Sequence, residues 1–345
     1  MLTLTDLPLL PTQTVGSHGV PSWLWVFRQA VAKDEVGPAD IQETLTDAVN
    51  LAIMDMTQAG LDIISDGELY RADFTWNFHE RIQGLQPISF ERRLGYPGPD
   101  QLDSFRCVSE ISAPNGYGLV PEVEFMLAHT DKPFVTGLQS PVTQAFRIHP
   151  GDIYENKGQV AWALVPYINK ELKDAVAAGA RYLQFDEPAF WTMPGGEEEL
   201  TELFNACVEG VQATIGIHLC FGNFRGRPAT ADRTYAKIAP FIPKMNTDVV
   251  HMEFANRGMW QTEQRQEVGG DKILCAGVID VKGRSLESLD TVVDRIHTLL
   301  DSVRPEKLWL AGDCGFSQTA RSLAVDKMKV MVEAARVVRQ EIEGS

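Results

Sequence analysis

A closed (β/α)₈ barrel, the TIM-barrel architecture, is the fold this sequence predicts, and three observations predict it. Short apolar, strand-like runs alternate eight times with longer helix-patterned segments, which fits a closed barrel better than an open sheet. The strand-like runs end in polar residues, as strands do on the rim where a barrel keeps its chemistry. The length of 345 residues admits two domains, but α/β barrels routinely use it as one.

The eight strand candidates are residues 12–17 (TQTVGS), 61–68 (LDIISDGE), 133–138 (PFVTGL), 182–188 (YLQFDEP), 215–220 (IGIHLC), 248–254 (DVVHMEF), 273–280 (ILCAGVID) and 307–314 (KLWLAGDC). Between them lie helix candidates. Residues 41–60 place Ile41, Leu45, Val49 and Ala52 on one face, and 156–179 and 320–342 are patterned in the same way. Pro141 and Pro188 follow strand ends, where helices or turns begin. Residues 84–126 are rich in Gly and Pro and too long for a simple connection, so they read as an insertion after the second strand, a hairpin or lid over the rim. Right-handed crossovers put all eight strand ends on one rim. The chain reads as one barrel over residues 1–345, without internal repeats.

Composition narrows the function. The chain is 44% apolar and 23% charged with a formal net charge of −16, and so large an acidic excess argues against nucleic acid as a partner. The odd set Cys107, Cys207, Cys220, Cys275 and Cys314 lacks paired spacing and reads as reduced thiols rather than a disulfide framework. The first residues have no basic, apolar leader pattern, and no apolar run approaches the roughly 18 residues of a membrane span. The expectation is a cytoplasmic enzyme with no membrane partner. Barrel enzymes often pair, so a homodimer is among the expected states.

The strand ends carry Ser17, Glu68, Gln139, Asp186 with Glu187, His218 with Cys220, Glu253, Asp280 and Cys314. His218 and Cys220 lie two apart on one strand, and period-two alternation sends both side chains to one face. Glu253 and Cys314 each arrive on a strand of their own. Nitrogen, sulfur and one carboxylate together favour Zn²⁺ over a hard cation. Taken singly, the cysteines read as buried small hydrophobes and His218 as a core histidine; at successive strand ends the four read as a metal site. A carboxylate among the ligands leaves a position that can be vacated. A thiol entering there loses its proton, which a free thiol with a pKa of about 8.5 largely keeps at neutral pH. That chemistry is S-alkylation. Glu68 and Asp186, on the same rim, suit a cationic amine, and the Ser17 region suits a carboxylate, which together describe an amino-acid thiol. The competing roles are an ion pair with Arg71 for Glu68 and a helix cap for Asp186-Glu187-Pro188.

From VGS (15–17) to DCG (313–315) the chain resembles the cobalamin-independent methionine synthase family, in its catalytic barrel of the methionine synthase/uroporphyrinogen decarboxylase-like type. The family's zinc motifs look like HLC (218–220), Glu253 and DCG, and its homocysteine positions look like Ser17, Glu68 and Asp186 in DEPA. The resemblance implies a zinc-bound homocysteine thiolate that accepts a methyl group to give methionine. SFRCV (104–108) is similar to a folate-loop stretch, which makes Arg106 a donor-binding candidate. GVIDVKGR (277–284) is similar to the segment holding the family's histidine; this chain has Lys282 there, and Asp280 and Lys282 become the candidate catalytic pair. The family's second barrel has no room in this chain, and Arg147 stands roughly where the family places a tryptophan near the pterin. The donor is therefore open between methyltetrahydrofolate and a methyl-corrinoid protein.

Three other readings compete. A related alkyl-thiol transferase acting on coenzyme M would not need both Glu68 and Asp186. A uroporphyrinogen-type decarboxylase needs no metal ligands, and a binding protein with a structural zinc would not place them on a barrel rim. Trp23, Trp25 and Phe27 read as an apolar wall or a core stripe, Phe74, Trp76 and Phe78 as a set of which one lines the pocket, and His79, His149 and His251 have no partner in the sequence pattern.

Overall fold

The computed structural model describes residues 4–71, 76–88, 104–190, 195–223, 234–260, 268 and 270–344. Its strands are β1 (Gln83–Ile88), β2 (Ser104–Ser112), β3 (Thr136–Gln139), β4 (Ile148–His149), β5 (Tyr182–Glu187), β6 (Thr214–Leu219), β7 (Val249–Glu253), β8 (Ile273–Ile279) and β9 (Leu308–Gly312). Its helices are α1 (Ser22–Ala32), α2 (Pro38–Ala59), α3 (Trp76–His79), α4 (Leu119–His129), α5 (Pro141–Phe146), α6 (Lys157–Ala178), α7 (Gly196–Val208), α8 (Leu289–Leu300) and α9 (Arg321–Glu343).

Six strands pair in the order β3-β5-β6-β7-β8-β9, all parallel. Two short segments complete the ring. Thr12 pairs with Leu310, Gln13 with Ile63 and Ile64 with Phe134, all in parallel, so the last strand reaches the first through residues 12–13 and 63–64. All eight expected strand positions are thus in the wall. β3, β5, β7 and β9 are buried along their whole length, as strands covered on both faces must be.

Two apolar clusters divide the molecule. The smaller one fills the barrel with Val15, Ile63, Val135, Tyr182, Val249, Cys275, Trp309 and Ala311, drawn from seven of the eight wall segments. The remaining segment, β6, contributes Gly216, and a Cβ there would meet the Tyr182 ring at 3.0 Å; its absence gives the ring its place. The larger cluster lies between the wall and the outer helices.

The helix expectations at 41–60, 156–179 and 320–342 correspond to α2, α6 and α9. Helix α2 starts with Pro38 in its first turn and ends at Gly60, whose φ of 89° closes the left-handed cap. Between β6 and β7, the described residues form only short 3₁₀ helices, at Tyr235–Lys237 and Ala239–Lys244; Pro240 and Pro243 withhold backbone donors that a longer helix would need. In the stretch 84–126, β1 and β2 form an antiparallel pair, with β2 also lying against β4, and the stretch ends inside α4. Residues 89–103 of it, and Phe74, lie outside the described residues. No described helix is long and apolar enough to cross a membrane.

Candidate metal centre

Parallel register assembles the centre. Asp186 on β5 pairs with His218 on β6, which pairs with His251 on β7, so three polar side chains stand side by side on the inner face. Two residues further along, alternation brings Cys220 and Glu253 to that same face. Cys314 comes from the loop that leaves β9. The ligand atoms of His218, Cys220, Glu253 and Cys314 all lie within 4.8 Å of one another. The Cys220 and Cys314 sulfurs are 3.5 Å apart, too far for a disulfide and near the separation of about 3.8 Å that two sulfurs adopt on a tetrahedral ion at about 2.3 Å each. All five cysteines are free thiols.

The donor set fits a metal ion. His218 Nε2 is buried and has no hydrogen-bond partner among the described residues, a costly position for a nitrogen lone pair unless a cation receives it. The neighbouring Cys314 thiol, burial and the Glu253 carboxylate push the Cys220 thiol well above its ordinary value, and a cation among them would reverse that.

Glu253 is fully enclosed and its partners are fixed. Oε1 accepts from the Phe221 amide at 2.9 Å, and Oε2 accepts from Asn256 Nδ2 at 2.9 Å and from Lys282 Nζ at 2.5 Å. Burial would lower the Lys282 ammonium, but Glu253, Cys314 and Cys220 more than offset it, and the group is held above its usual value. Asp280 does not face the cluster in this way: its Oδ1 accepts the amides of Lys282 and Gly283 at 2.8 and 2.9 Å, closing the turn that presents Lys282.

Asp313 has a role the sequence pattern gave no sign of. Its Oδ1 accepts the amides of Phe254 and Ala255 and its Oδ2 accepts the amide and side-chain nitrogen of Asn256, so one carboxylate anchors the loop after β7. Burial raises this carboxyl to about 7, with Glu253 adding to the rise. A Cβ at Gly277 would lie 2.4 Å from Asp313 Oδ1, which explains the glycine opposite Glu253.

The carboxylate pair adjoins the cluster. Glu68 takes a φ of 54°, unusual for a side chain with a Cβ, after Gly67 at 68° and an Asx turn in which Asp66 Oδ1 accepts the Glu68 amide at 2.9 Å. This twist aims Glu68 inward. Its Oε1 would be 3.4 Å from a Cβ at Gly137, and Asp186 Oδ2 3.6 Å from the same point, so the two carboxylates share one space over Gly137. The Arg71 ion pair also forms, at 2.9 Å, and Arg71 reaches on to Glu122 at 2.6 Å and to the Gly137 carbonyl at 2.7 Å. Asp66, Glu68, Glu122 and Asp186 thus surround one guanidinium, which leaves an excess of negative charge. Burial raises Glu68 to about 7, against the pull of Arg71. Burial also raises Asp186 well above the usual carboxylate range, reinforced by Glu68 and Cys314. Such a pocket attracts a cation.

Glu187, next to Asp186, points the other way. It accepts from Ser140 Oγ, from Thr143 Oγ1 at 2.9 Å and from the Ala189 amide at 2.7 Å, tying β5 to the start of α5. Ser17 carries the first rim loop: its carbonyl accepts the Phe316 amide at 2.8 Å, and a Cβ at Gly315 would collide with its hydroxyl. Arg106 is exposed on β2, opposite Gln86 and beside His149, in the hairpin and not on a barrel strand end.

The aromatic candidates divide. Trp23 and Trp25 are 43% and 47% exposed and flank a cavity of about 620 Å³ with Ser317, Gln318 and Arg321, while Phe27 packs on the core. Phe78 is buried, beneath the Arg71 guanidinium. His79 Nε2 lies 3.0 Å from the Gln144 carbonyl and His149 Nδ1 accepts the Gly151 amide. His251 contacts His218, a partner visible only after folding.

The model of the family described as cobalamin-independent synthase, catalytic domain, matches residues 10–337. A methionine synthase of Saccharolobus islandicus is 32% identical over 346 residues, covering 99% of this chain and 98% of the relative. A methionine synthase of Saccharolobus solfataricus is also 32% identical, over 348 residues with the same coverage. The solved structure of a B12-independent methionine synthase from Shewanella sp. W3-18-1, in complex with selenomethionine, superposes with a TM-score of 0.83 at 24% identity, covering 98% of this chain and 100% of that one; this is a likeness of fold.

Proposed function

We propose, on the premise that this chain belongs to the cobalamin-independent synthase catalytic-domain family and is a methyltransferase of the methionine synthase type, that it methylates the thiol of homocysteine to form methionine and uses Zn²⁺ to do so. One observation carries the reading: the His218, Cys220, Glu253 and Cys314 donor atoms lie within 4.8 Å of one another, with the Glu68 and Asp186 carboxylates beside them. Two sulfurs, one imidazole and one carboxylate suit Zn²⁺ better than a hard cation. When bound, Zn²⁺ supplies a Lewis acid that lets a thiol stay deprotonated at neutral pH.

The chain's own residues do the rest. Glu68 and Asp186 take the substrate ammonium, and the Ser17 backbone lies toward its carboxylate, so the sulfur is directed at the cluster. A thiol without the amine would leave the excess of carboxylates around Arg71 without a second cation, which favours homocysteine over an amine-free thiol. Lys282 holds Glu253 through its ammonium and keeps positive charge beside the sulfur. The sulfur lone pair forms the new C–S bond while the bond from methyl to donor breaks, its electron pair leaving with the donor. The donor is a methylated folate or a methyl-corrinoid, with Arg106 in the hairpin as the candidate contact. We take residues 1–345 to work as one barrel with the hairpin as its insertion. The cytoplasm, where thiols stay reduced, suits five unbridged cysteines.

Turnover decides the reading. Purified protein with homocysteine is offered methyltetrahydrofolate, its triglutamate and methylcobalamin in turn, and metal content is measured on the same sample. Methionine from one of these donors, with about one zinc per chain, is expected. Zinc well below stoichiometric, or no methionine from any donor, overturns it.

A further inference from the structure

Two imidazoles meet inside the barrel wall. His218 and His251 are direct partners in the β6–β7 register, both fully buried, with ring centroids 4.2 Å apart. Their Nδ1 atoms face each other in contact. On the far side, His251 Nε2 lies 2.9 Å from the carbonyl oxygen of Gly312, the last residue of β9. On the near side, His218 Nε2 has no partner among the described residues.

Hydrogen-bond chemistry fixes the protons along this row. A carbonyl can only accept, so His251 Nε2 carries the hydrogen facing Gly312. A neutral imidazole has one N–H, so His251 Nδ1 is an acceptor. The facing His218 Nδ1 must then be the donor, which leaves His218 Nε2 with a bare lone pair. The opposite assignment would set two lone pairs against each other and bury an N–H with no acceptor. A charged imidazolium in so fully buried a row is costly, which keeps both rings neutral.

We propose that His251 is a positioning residue for the metal ligand: it accepts the His218 Nδ1 hydrogen, is itself locked by the Gly312 carbonyl, and so holds His218 in the one tautomer whose Nε2 can bind a metal. Metal-binding histidines usually donate their second nitrogen to a carboxylate, a carbonyl or water. Here an imidazole stands in that place and relays the preference of a carbonyl on a third strand. The relay couples β6, β7 and β9, the strands that lead to Cys220, Glu253 and Cys314. This inference rests on the metal reading above.

Two measurements test it. The first needs no metal: ¹⁵N spectra of the imidazoles in metal-free protein, assigned with His251→Gln, should show His218 as the Nδ1–H tautomer and His251 as the Nε2–H tautomer. An Nε2–H tautomer at His218 overturns the proposal. The second is zinc affinity by chelator competition. His251→Leu removes both hydrogen bonds and should bind zinc about 10- to 100-fold more weakly. His251→Gln, which can donate to Gly312 through Nε2 and accept from His218 through Oε1, should stay within a few-fold of the parent. Equal zinc affinity in His251→Leu, or equal loss in both variants, overturns the proposal. If His251→Leu fails to fold, the spectra and the glutamine variant still decide. Failure of the parent protein to bind zinc would sink the metal reading and leave the tautomer result standing by itself.

Discussion

A serine at position 220 or 314 keeps the size of the side chain and loses the thiolate, so each of these residues can be tested without disturbing the packing. Cys220→Ser and Cys314→Ser should each cut bound zinc from about one per chain to a small fraction of that, read by elemental analysis after dialysis; near-full retention would mean that the sulfurs are not ligands. At the other end of the pocket, Glu68→Ala should weaken homocysteine binding by about ten- to a hundredfold, the scale of a charge-assisted hydrogen bond of about 1.5–3 kcal/mol. The same variant should leave a thiol without an amine unaffected, and calorimetry with both ligands separates the two outcomes. The grouping of His218, Cys220, Glu253 and Cys314 was readable in the sequence because each ends a strand-like run. The Glu68–Arg71 pair was readable too, but the contact of His251 with Gly312 and the reach of Arg71 to Glu122 and Gly137 were not, because those partners come from elements distant in the chain: Gly312 lies on β9, Glu122 on α4 and Gly137 on β3.

At the scale of elements, the connections after strands matter more than the strands. Asp313 is a single carboxylate receiving four hydrogen bonds from Phe254, Ala255 and Asn256, and Asn256 also holds Glu253. Asp313→Ala should therefore destabilise the protein by about 2–4 kcal/mol, measured by urea unfolding. It should also weaken zinc binding, because the loop that steadies Glu253 loses its anchor. An unchanged unfolding midpoint would show that the loop is held from elsewhere. Sequence patterning located the strands and the long helices α2, α6 and α9. The strand–helix alternation implied helix between β6 and β7, where the described residues give only short 3₁₀ helices, with Pro240 and Pro243 withholding backbone donors.

At the scale of the whole molecule, closure depends on segments too short to be recognised by pairing alone. Residues 12–13 and 63–64 complete the ring through single bridges, and side-chain ties reinforce that region. His18 Nε2 and the Arg321 guanidinium both hold Asp55, at 2.9 and 2.6 Å, joining the first rim loop, α2 and the start of α9. Burial alone would raise the Asp55 carboxyl, but His18 and Arg321 outweigh it and hold the group at about 2. A carboxyl lower in the folded than in the unfolded chain stabilises at pH above its unfolded value, and that stabilisation fades as pH falls through its folded value. The contribution of this network should accordingly be complete above about pH 4 and fade towards pH 2. Urea midpoints across that range should fall more steeply for the parent than for Asp55→Asn; parallel slopes would show that the network carries no net stability.

What the sequence determined by itself was the alternation of strand and helix, the polar strand ends and, through their residue types, a candidate metal-ligand cluster next to a pair of carboxylates. Those are local properties: period-two patterning fixes which residues share a face, and side-chain chemistry fixes what they can bind. Tertiary structure alone decided the register that sets Asp186, His218 and His251 side by side, the direction in which Glu187 turns away, and the proton order between two buried rings. Each of these depends on groups brought together from distant strands, and hydrogen bonding between such groups has no signature until the barrel closes.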